Sequence, residues 1–447
     1  MRPLLLLLVG LAAAADPAAP APAANPDLAA GQAALKAKDA PGAIAALSRC
    51  APAVQECTWQ LGWAYWQKRD WKKVVDTWST LPADYPELSG NLATARGQLT
   101  ASGLAAELKA TAPATFTSAA PAGATLHLRA VGDMMIGTAF PEGALPPDGG
   151  ASAFSGVADA LKAADFTFGN LEGPLCDTDQ PSAKCSPDAK PGSCYAFRTP
   201  TSYGHWYKDA GFDVVSVANN HANDFGDVCR DQTQTTLDTL GIRYSGRPGT
   251  VATWTQGGQK IALIAFHANP VCNDLNDLTT AVALVSGLAA QNDVVIVSFH
   301  GGAEGSKAQH VAVGHELFYG EDRGDLRTFT HAVVDAGADL VIGSGPHVLR
   351  AMETYKGRLI AYSLGNFSTY GRFNLSGPQA VGAILDVTVG ADGKFVAGKV
   401  LGTTQGGQGI PALDPANEAA DLVRVLSEQD FPTSGVRVAQ DGSIGAR

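Results

Sequence analysis

The sequence predicts an α/β domain preceded by a small all-helical unit. Three observations carry that prediction. Five short apolar runs each end on a polar cluster, helical stretches fall between those runs, and residues 27 to about 110 show helical periodicity with no β-like alternation. The runs are LHLRAVG into Asp133, FTFG into Asn170-Leu171-Glu172, and DVVSVAN into Asn220-His221 with Asp224 close behind; DVVIVSF enters His300-Gly301-Gly302-Ala303-Glu304 and DLVIGSG enters Pro346-His347. Val-, Ile- and Leu-rich runs of this length, buried on both faces, read as parallel-type strands. Ligands of such sheets bind beyond the carboxyl ends of the strands, where these residues fall.

The chain begins with signals for export. Arg2 precedes an apolar run from Leu4 to Leu11, and Ala13-Ala14-Ala15 offers small residues for cleavage before Asp16. This is the outline of a secretory signal over residues 1–15, too short to span a bilayer. No other stretch is long and apolar enough to do so, so no transmembrane segment is expected after cleavage. A Pro/Ala linker covers residues 16–26. Residues 27–110 form the helical segment, in which Asp39 and Asp70, Ile44 and Val75, and Leu47 and Trp78 pair at a constant offset of 31. Trp59-Gln60-Leu61-Gly62-Trp63-Ala64-Tyr65 resembles the first helix of a tetratricopeptide repeat, with Pro82 closing the second, although that repeat's usual period is about 34. Two readings stay open for this segment: a groove for partners, or a plain helical unit packing its tryptophans against the larger domain.

A second linker, 111–124, leads to the α/β domain at 125–405. Its helical stretches are Val157–Ala164, Thr233–Leu240, Thr279–Ala290 and Leu326–Ala336. Residues 406–447 read as a Gly/Gln loop, a helix over Pro415–Leu426 and a tail. At 447 residues the chain exceeds one ordinary core, which fits two folded units with linkers. A net charge of −11 with no basic block excludes a sequence-independent grip on nucleic acid. It leaves an anionic substrate open, because a bound divalent ion inverts the local field. Seven cysteines in an exported chain read as disulfides with one thiol left over; Cys50 and Cys57 are close enough to staple two helices. Kinase, dehydrogenase and serine-hydrolase readings find no motif to rest on.

Carboxylate, amide oxygen and imidazole are what hard or borderline divalent metals bind, and the strand ends collect that set. The order and spacing of these residues are similar to the capsule-synthesis CapA family, the poly-γ-glutamate group related to calcineurin-like metallophosphoesterases. The matching residues are Gly132-Asp133, Gly169-Asn170-Leu171-Glu172, the run Ala218 to Gly226, His300 to Glu304, Gly337-Ala338-Asp339, Pro346-His347-Val348 and Tyr362 to Phe367. The resemblance spans about residues 126–400 and implies a layered α/β sandwich. It implies metal ligands at Asp133, Glu172, Asn220, His300 and His347, holding one or two divalent ions of Mn, Zn, Fe or Mg type. It further implies His221 as proton donor, oriented by Asp224. Asn170, Glu304, Arg323 and Asn366 are the candidates for substrate contact.

Two departures from the family pattern stand out. The Asp-x-His start is Asp133-Met134-Met135 here, and His-Pro-His is Gly345-Pro346-His347, so two imidazoles are missing. This favours a single metal, or a weakly bound one. His205, His267, His310, His315 and His331 follow no ligand pattern and read as packing or surface residues, with His310 and His315 the nearest to exceptions. The expected function is metal-assisted hydrolysis or transfer on an anionic polymer or its precursor at the cell envelope, periplasmic or extracellular. The alternative is a non-catalytic binding or assembly subunit that meets other capsule synthesis and export proteins through residues 27–110.

Overall fold

The computed structural model describes residues 25–446, apart from 52, 142–143, 187, 189 and 191–193. The expected signal and most of the first linker lie outside the described residues. The chain divides after Leu92 into two units.

The first unit is built from α1 (Pro26–Lys36), α2 (Ala40–Leu47), α3 (Gln55–Gln67) and α4 (Trp71–Trp78). Asp39 and Asp70, the pair at the 31-residue offset, are the N-caps of α2 and α4; their carboxylates accept from Gly42 N and Lys73 N. Such caps satisfy backbone donors that a helix start leaves orphaned. The repeat goes deeper than the caps. A Cβ on Gly31 would meet Leu47 at 2.3 Å and one on Gly62 would meet Trp78 at 1.8 Å, so each first helix uses glycine to seat the large last residue of the second. Leu47 and Trp78 are both fully buried. Cys50 and Cys57 are disulfide-bonded across the turn between α2 and α3. Trp59 stacks on Trp78 at 4.7 Å, with Trp63 and Trp66 against the same ring. The tryptophans thus pack on one another within the unit.

α5 (Leu88–Thr111) crosses the boundary at Leu92 and continues into the second unit. That unit holds two sheets. In a ten-stranded sheet Thr125–Met135, Phe166–Leu171, Val214–Ser216 and Arg243–Ser245 run parallel, while Val381–Gly390 and Phe395–Gly406 continue it antiparallel. In a seven-stranded sheet Gln259–His267, Val294–His300, Leu340–Ser344 and Arg358–Ala361 run parallel. Leu126, Leu128 and Ala130 from the first sheet share a core with Ile261, Leu263, Ile296 and Ile342 from the second, so the sheets face each other. The outer face of the first sheet is covered by α6 (Ala158–Leu161), α7 (Gly204–Ala210) and α8 (Gly226–Leu240). That of the second is covered by α9 (Leu278–Ala289), α10 (Leu326–Asp335) and the part of α5 carrying Ala101 and Ala105. Parallel strands need such cover on both faces, which is why their sequences read as unbroken apolar runs.

The five expected strands are present, divided three and two between the sheets. Several details differ from expectation, and α8 starts at Gly226, seven residues before the expected Thr233. The stretch expected over Val157–Ala164 is helical only as α6. The last helix, α11 (Glu418–Asp430), starts later than expected because Asn417 sits at φ 53°, with its side chain bonded to Gly402 N and Val400 O. Beyond it, Arg437–Val438 and Ser443–Gly445 are strands that join the first sheet at Phe395–Gly406, where a tail was expected.

Candidate metal centre

Strand ends from both sheets deliver the expected residues to one place. The strand carrying Asp133 breaks register with its neighbours on either side of that residue, a bulge that re-aims a side chain. Asp133 N donates to Gly365 O at 3.0 Å. A Cβ on Gly132 would lie 1.9 Å from that oxygen, so only glycine lets the Leu364–Asn366 turn come so close. Asp133 Oδ1 accepts from Asn170 Nδ2 at 2.9 Å, and Oδ2 accepts from His347 Nδ1 at 3.0 Å. His347 itself has φ 59°, a left-handed conformation that a histidine adopts only when its surroundings hold it there. Its Nδ1 also reaches Asn366 Oδ1 at 3.0 Å; both partners are acceptors, so Nδ1 carries the proton and Nε2 is turned inward.

Glu172 is the centre of the group. Its Oε1 lies 3.9 Å from His221 Nε2, 3.8 Å from His300 Nε2 and 3.6 Å from His347 Nε2, beyond hydrogen-bond reach of each. Glu172 Oε1 and Oε2, His300 Nε2 and Asn220 Oδ1 are all buried with no hydrogen-bond partner. A buried carboxylate without partners is costly. These four atoms share one chemistry, since each can offer a lone pair, and His300 Nε2 and Glu172 Oε1, 3.8 Å apart, are placed to meet one cation. Ligand atoms of Asp133, Glu172 and His347 lie within 4.8 Å of one another, and those three residues could hold a metal ion. For His300, Ser344 Oγ can accept from Nδ1–H at 3.2 Å, which leaves the Nε2 lone pair free. Asn170 Nδ2 approaches the same Nδ1 at 3.3 Å, but its shorter bond is to Asp133.

The local charges respond to this crowding. Burial, then the neighbouring Asp133 and Glu304 carboxylates, push Glu172 well above the usual range. Burial holds His300 well below the usual imidazole value, with His267 behind it adding to the effect. Burial also opposes a charge on His347, but Glu172, Asp133 and Glu304 outweigh it and push the imidazole up to about 10.

Beside this group His221 Nδ1 donates to Asp224 Oδ2 at 2.7 Å, which fixes the tautomer and leaves Nε2 facing Glu172. The ring stacks on Phe197 at 4.2 Å. Burial lowers the His221 pKa, and Asp224 partly offsets it. Of the four residues expected at substrate, Asn170 and Asn366 stand behind the carboxylates with their amides spent on Asp133, His347 and Gln379 O. Glu304 Oε2 lies 3.8 Å from His347 Nε2, and its Oε1 pairs with Arg323 Nη2 at 2.9 Å. Arg323 is only 2% exposed, so it is a buried partner of Glu304 rather than a solvated loop charge.

The two missing imidazoles have structural counterparts. Met135 is buried at the place of the first. Gly345 has φ +116°, and a Cβ there would lie 2.8 Å from Gly301 N and O, so no side chain fits that place. Sequence reasoning missed two further contributors. Arg350, fully buried, makes a bidentate pair with Glu316 at 2.8 Å and holds the loop that carries Glu304. Lys184 donates to Asn220 O at 3.0 Å. Neither lies in a periodic pattern. His267 packs behind His300, its Nδ1 on His300 O at 2.7 Å, while His310 and His315 pair with Asp430 and Asp322 at the surface.

Residues 127–370 match the family described as bacterial capsule synthesis protein PGA_cap, which is more than half of the chain. The chain belongs to that family. Among curated proteins it is similar to the PGA biosynthesis protein CapA of Bacillus subtilis (strain 168), 29% identical over 53% of this chain and 61% of that protein. It is also similar to the capsule biosynthesis protein CapA of Bacillus anthracis, 26% identical over 54% of this chain and 59% of the relative. An uncharacterised protein of Sinorhizobium fredii is 27% identical over 53% of this chain and 65% of its own length. The chain thus spans roughly six-tenths of these relatives. The PGA_cap match begins on the strand that carries Asp133, and it takes in every expected ligand.

Proposed function

We propose that this PGA_cap protein performs metal-assisted hydrolysis or transfer on an anionic polymer, or on its lipid- or phosphate-linked precursor, in capsule or poly-γ-glutamate synthesis. The observation that carries the reading is Glu172 Oε1 ringed by three imidazole Nε2 atoms at 3.6–3.9 Å, with four buried lone-pair atoms left without partners. A single divalent ion, held by Asp133, Glu172, Asn220, His300 and His347, would supply a water of lowered pKa and polarise a phosphoryl or acyl oxygen. Around it the chain's own residues have distinct tasks. Asp133 and His347 hold each other in place, and Asn170 and Asn366 fix both. His221, with Nδ1 committed to Asp224, presents Nε2 to the site and moves the proton of the leaving group there. Phe197 and Phe373 flank His221 and His347 and keep bulk water from that edge.

The remaining assignments follow the same reading. Residues 1–15 act as an export signal and the protein works at the cell envelope, supported by Arg2 and the Leu4–Leu11 run. Among the described residues no helix is long and apolar enough to cross a membrane. Residues 27–110 serve as a tetratricopeptide-like unit that meets other capsule synthesis or export proteins, supported by the two matched hairpins. The test combines metal analysis of the purified protein with phosphodiester and poly-γ-glutamate hydrolysis assays. The expected result is a bound divalent ion and turnover that disappears in Asp133→Ala and His221→Ala. Absence of metal, with no activity that responds to either change, would contradict the proposal.

A further inference from the structure

Asp224 has a cationic partner besides His221. Its carboxylate is fully buried and Oδ2 already takes two donors, His221 Nδ1 and Phe197 N, both at 2.7 Å. Oδ1 has no hydrogen bond. The cation it faces is Lys184, whose Nζ lies 3.4 Å away and donates to Asn220 O at 3.0 Å. One ammonium therefore touches both the buried anion and the peptide that leads into His221. Lys184 is also one third exposed, so it stands between the dyad and solvent.

The segment that brings Lys184 is built for this position. Ala183 N and Ser182 Oγ both donate to Asp224 O, at 2.8 and 2.9 Å, so the backbone of the segment is tied to the same residue its lysine faces. Cys185, the next residue, is bonded to Cys194, and Cys176 upstream is bonded to Cys229 on α8. Two disulfides thus bracket a Pro/Asp/Ser-rich stretch with no helix or strand among its described residues.

We propose that Lys184 is a positioning residue of the His221–Asp224 dyad, delivered by the disulfide-closed segment. By holding Asp224 Oδ1 and Asn220 O it fixes the carboxylate plane and the approach to His221, and so the direction of Nε2. Without it the buried carboxylate loses the ion-pair partner of Oδ1 and the reason to stay in one orientation. The proposal rests on the reading of His221 as the group that moves the proton in the site above. It goes beyond that reading by adding a cation that touches no reacting atom.

The test uses the full chain with Mn²⁺ and bis(p-nitrophenyl) phosphate as the probe ester for turnover, and one-dimensional proton NMR of the same chain with diamagnetic Zn²⁺ in place of Mn²⁺. A downfield Nδ1 proton, identified by its loss in His221→Gln, reports the dyad without any turnover. Lys184→Met should lose or shift that signal and lower kcat by about 10- to 100-fold, the range for partners that orient a functional group, with KM and Mn²⁺ affinity unchanged. Lys184→Arg should retain the signal and most of kcat. The double variant Cys185→Ser with Cys194→Ser keeps the lysine but frees its segment, and should move the signal in the same direction as Lys184→Met. A downfield proton unaltered in Lys184→Met overturns the proposal, as does an unaltered protein that shows no such proton. Loss of Mn²⁺ affinity in Lys184→Met equal to that in Asp133→Ala overturns it too, because the lysine would then act through the ligands. Should the unaltered protein turn over no ester, the hydrolytic reading fails while the proton signal still decides the role of Lys184.

Discussion

Glu172 holds two buried carboxylate oxygens with no hydrogen bond, a condition that destabilises any chain lacking a cation beside it. Glu172→Gln should therefore raise metal-free stability, by about 1–3 kcal/mol for relieving a buried unsatisfied group. The same change should remove the gain in melting temperature that Mn²⁺ gives the unaltered protein. Melting both proteins in chelator and in Mn²⁺ checks this, and a variant that melts lower in chelator would contradict it. Asp339 provides a pH signature away from the site. Burial raises its pKa from 3.8 to about 6, against a bond from Val295 N and an ion pair with Arg358. The folded chain then binds more protons than the unfolded one between those values, so this group makes stability fall as pH rises from about 4 to about 6. Asp339→Asn should flatten that slope, gaining on the unaltered protein by roughly 3 kcal/mol across the window, as measured by urea midpoints at pH 4 and pH 6.5. The five proposed ligands were legible because costly polar types sit where apolar runs stop. Lys184 and the Glu316–Arg350 pair were not, because those contacts join loops 36 and 34 residues apart with no periodicity to betray them.

In the helical unit the offset that pairs Asp39 with Asp70 proved to be a pair of caps, because capping chemistry is local and shows in sequence. The glycine counterpart at Gly31 and Gly62 was hidden, since nothing in the sequence says which large side chain each glycine faces. Gly62→Ala should push on the buried Trp78 ring and destabilise the first unit by about 1–3 kcal/mol, the usual effect of overpacking. Mn²⁺ binding should not change, and a calorimetric scan read beside a Mn²⁺ titration separates the two. Among the disulfides, Cys176–Cys229 closes a loop of 53 residues and Cys185–Cys194 one of 9. Loop-closure entropy assigns them about 4 and about 3 kcal/mol, respectively. Cys176→Ser with Cys229→Ser should thus lower the denaturation midpoint more than Cys185→Ser with Cys194→Ser, and the reverse order would count against the entropic account. The strands at Arg437–Val438 and Ser443–Gly445 were read as tail because two or three residues are too few for a pattern.

For the second unit as a whole, the apolar runs foretold strands but not their partition. A strand buried on both faces looks the same in either sheet, and only the family resemblance pointed to a layered sandwich. Once the sheets face each other, Asp133, Glu172 and His221 arrive from one and His300 and His347 from the other, so the candidate centre exists only if both sheets form. The place of the missing imidazoles is part of the same packing, because Gly345 lies against the His300–Gly301 backbone and has no room for a side chain. One centre per chain, not two, is therefore expected. Titration of the metal-free protein with Mn²⁺ by isothermal calorimetry tests this most directly. The predicted result is one ion per chain, with binding abolished in His300→Ala; no binding, a second ion of similar affinity, or an unchanged isotherm in His300→Ala would contradict it.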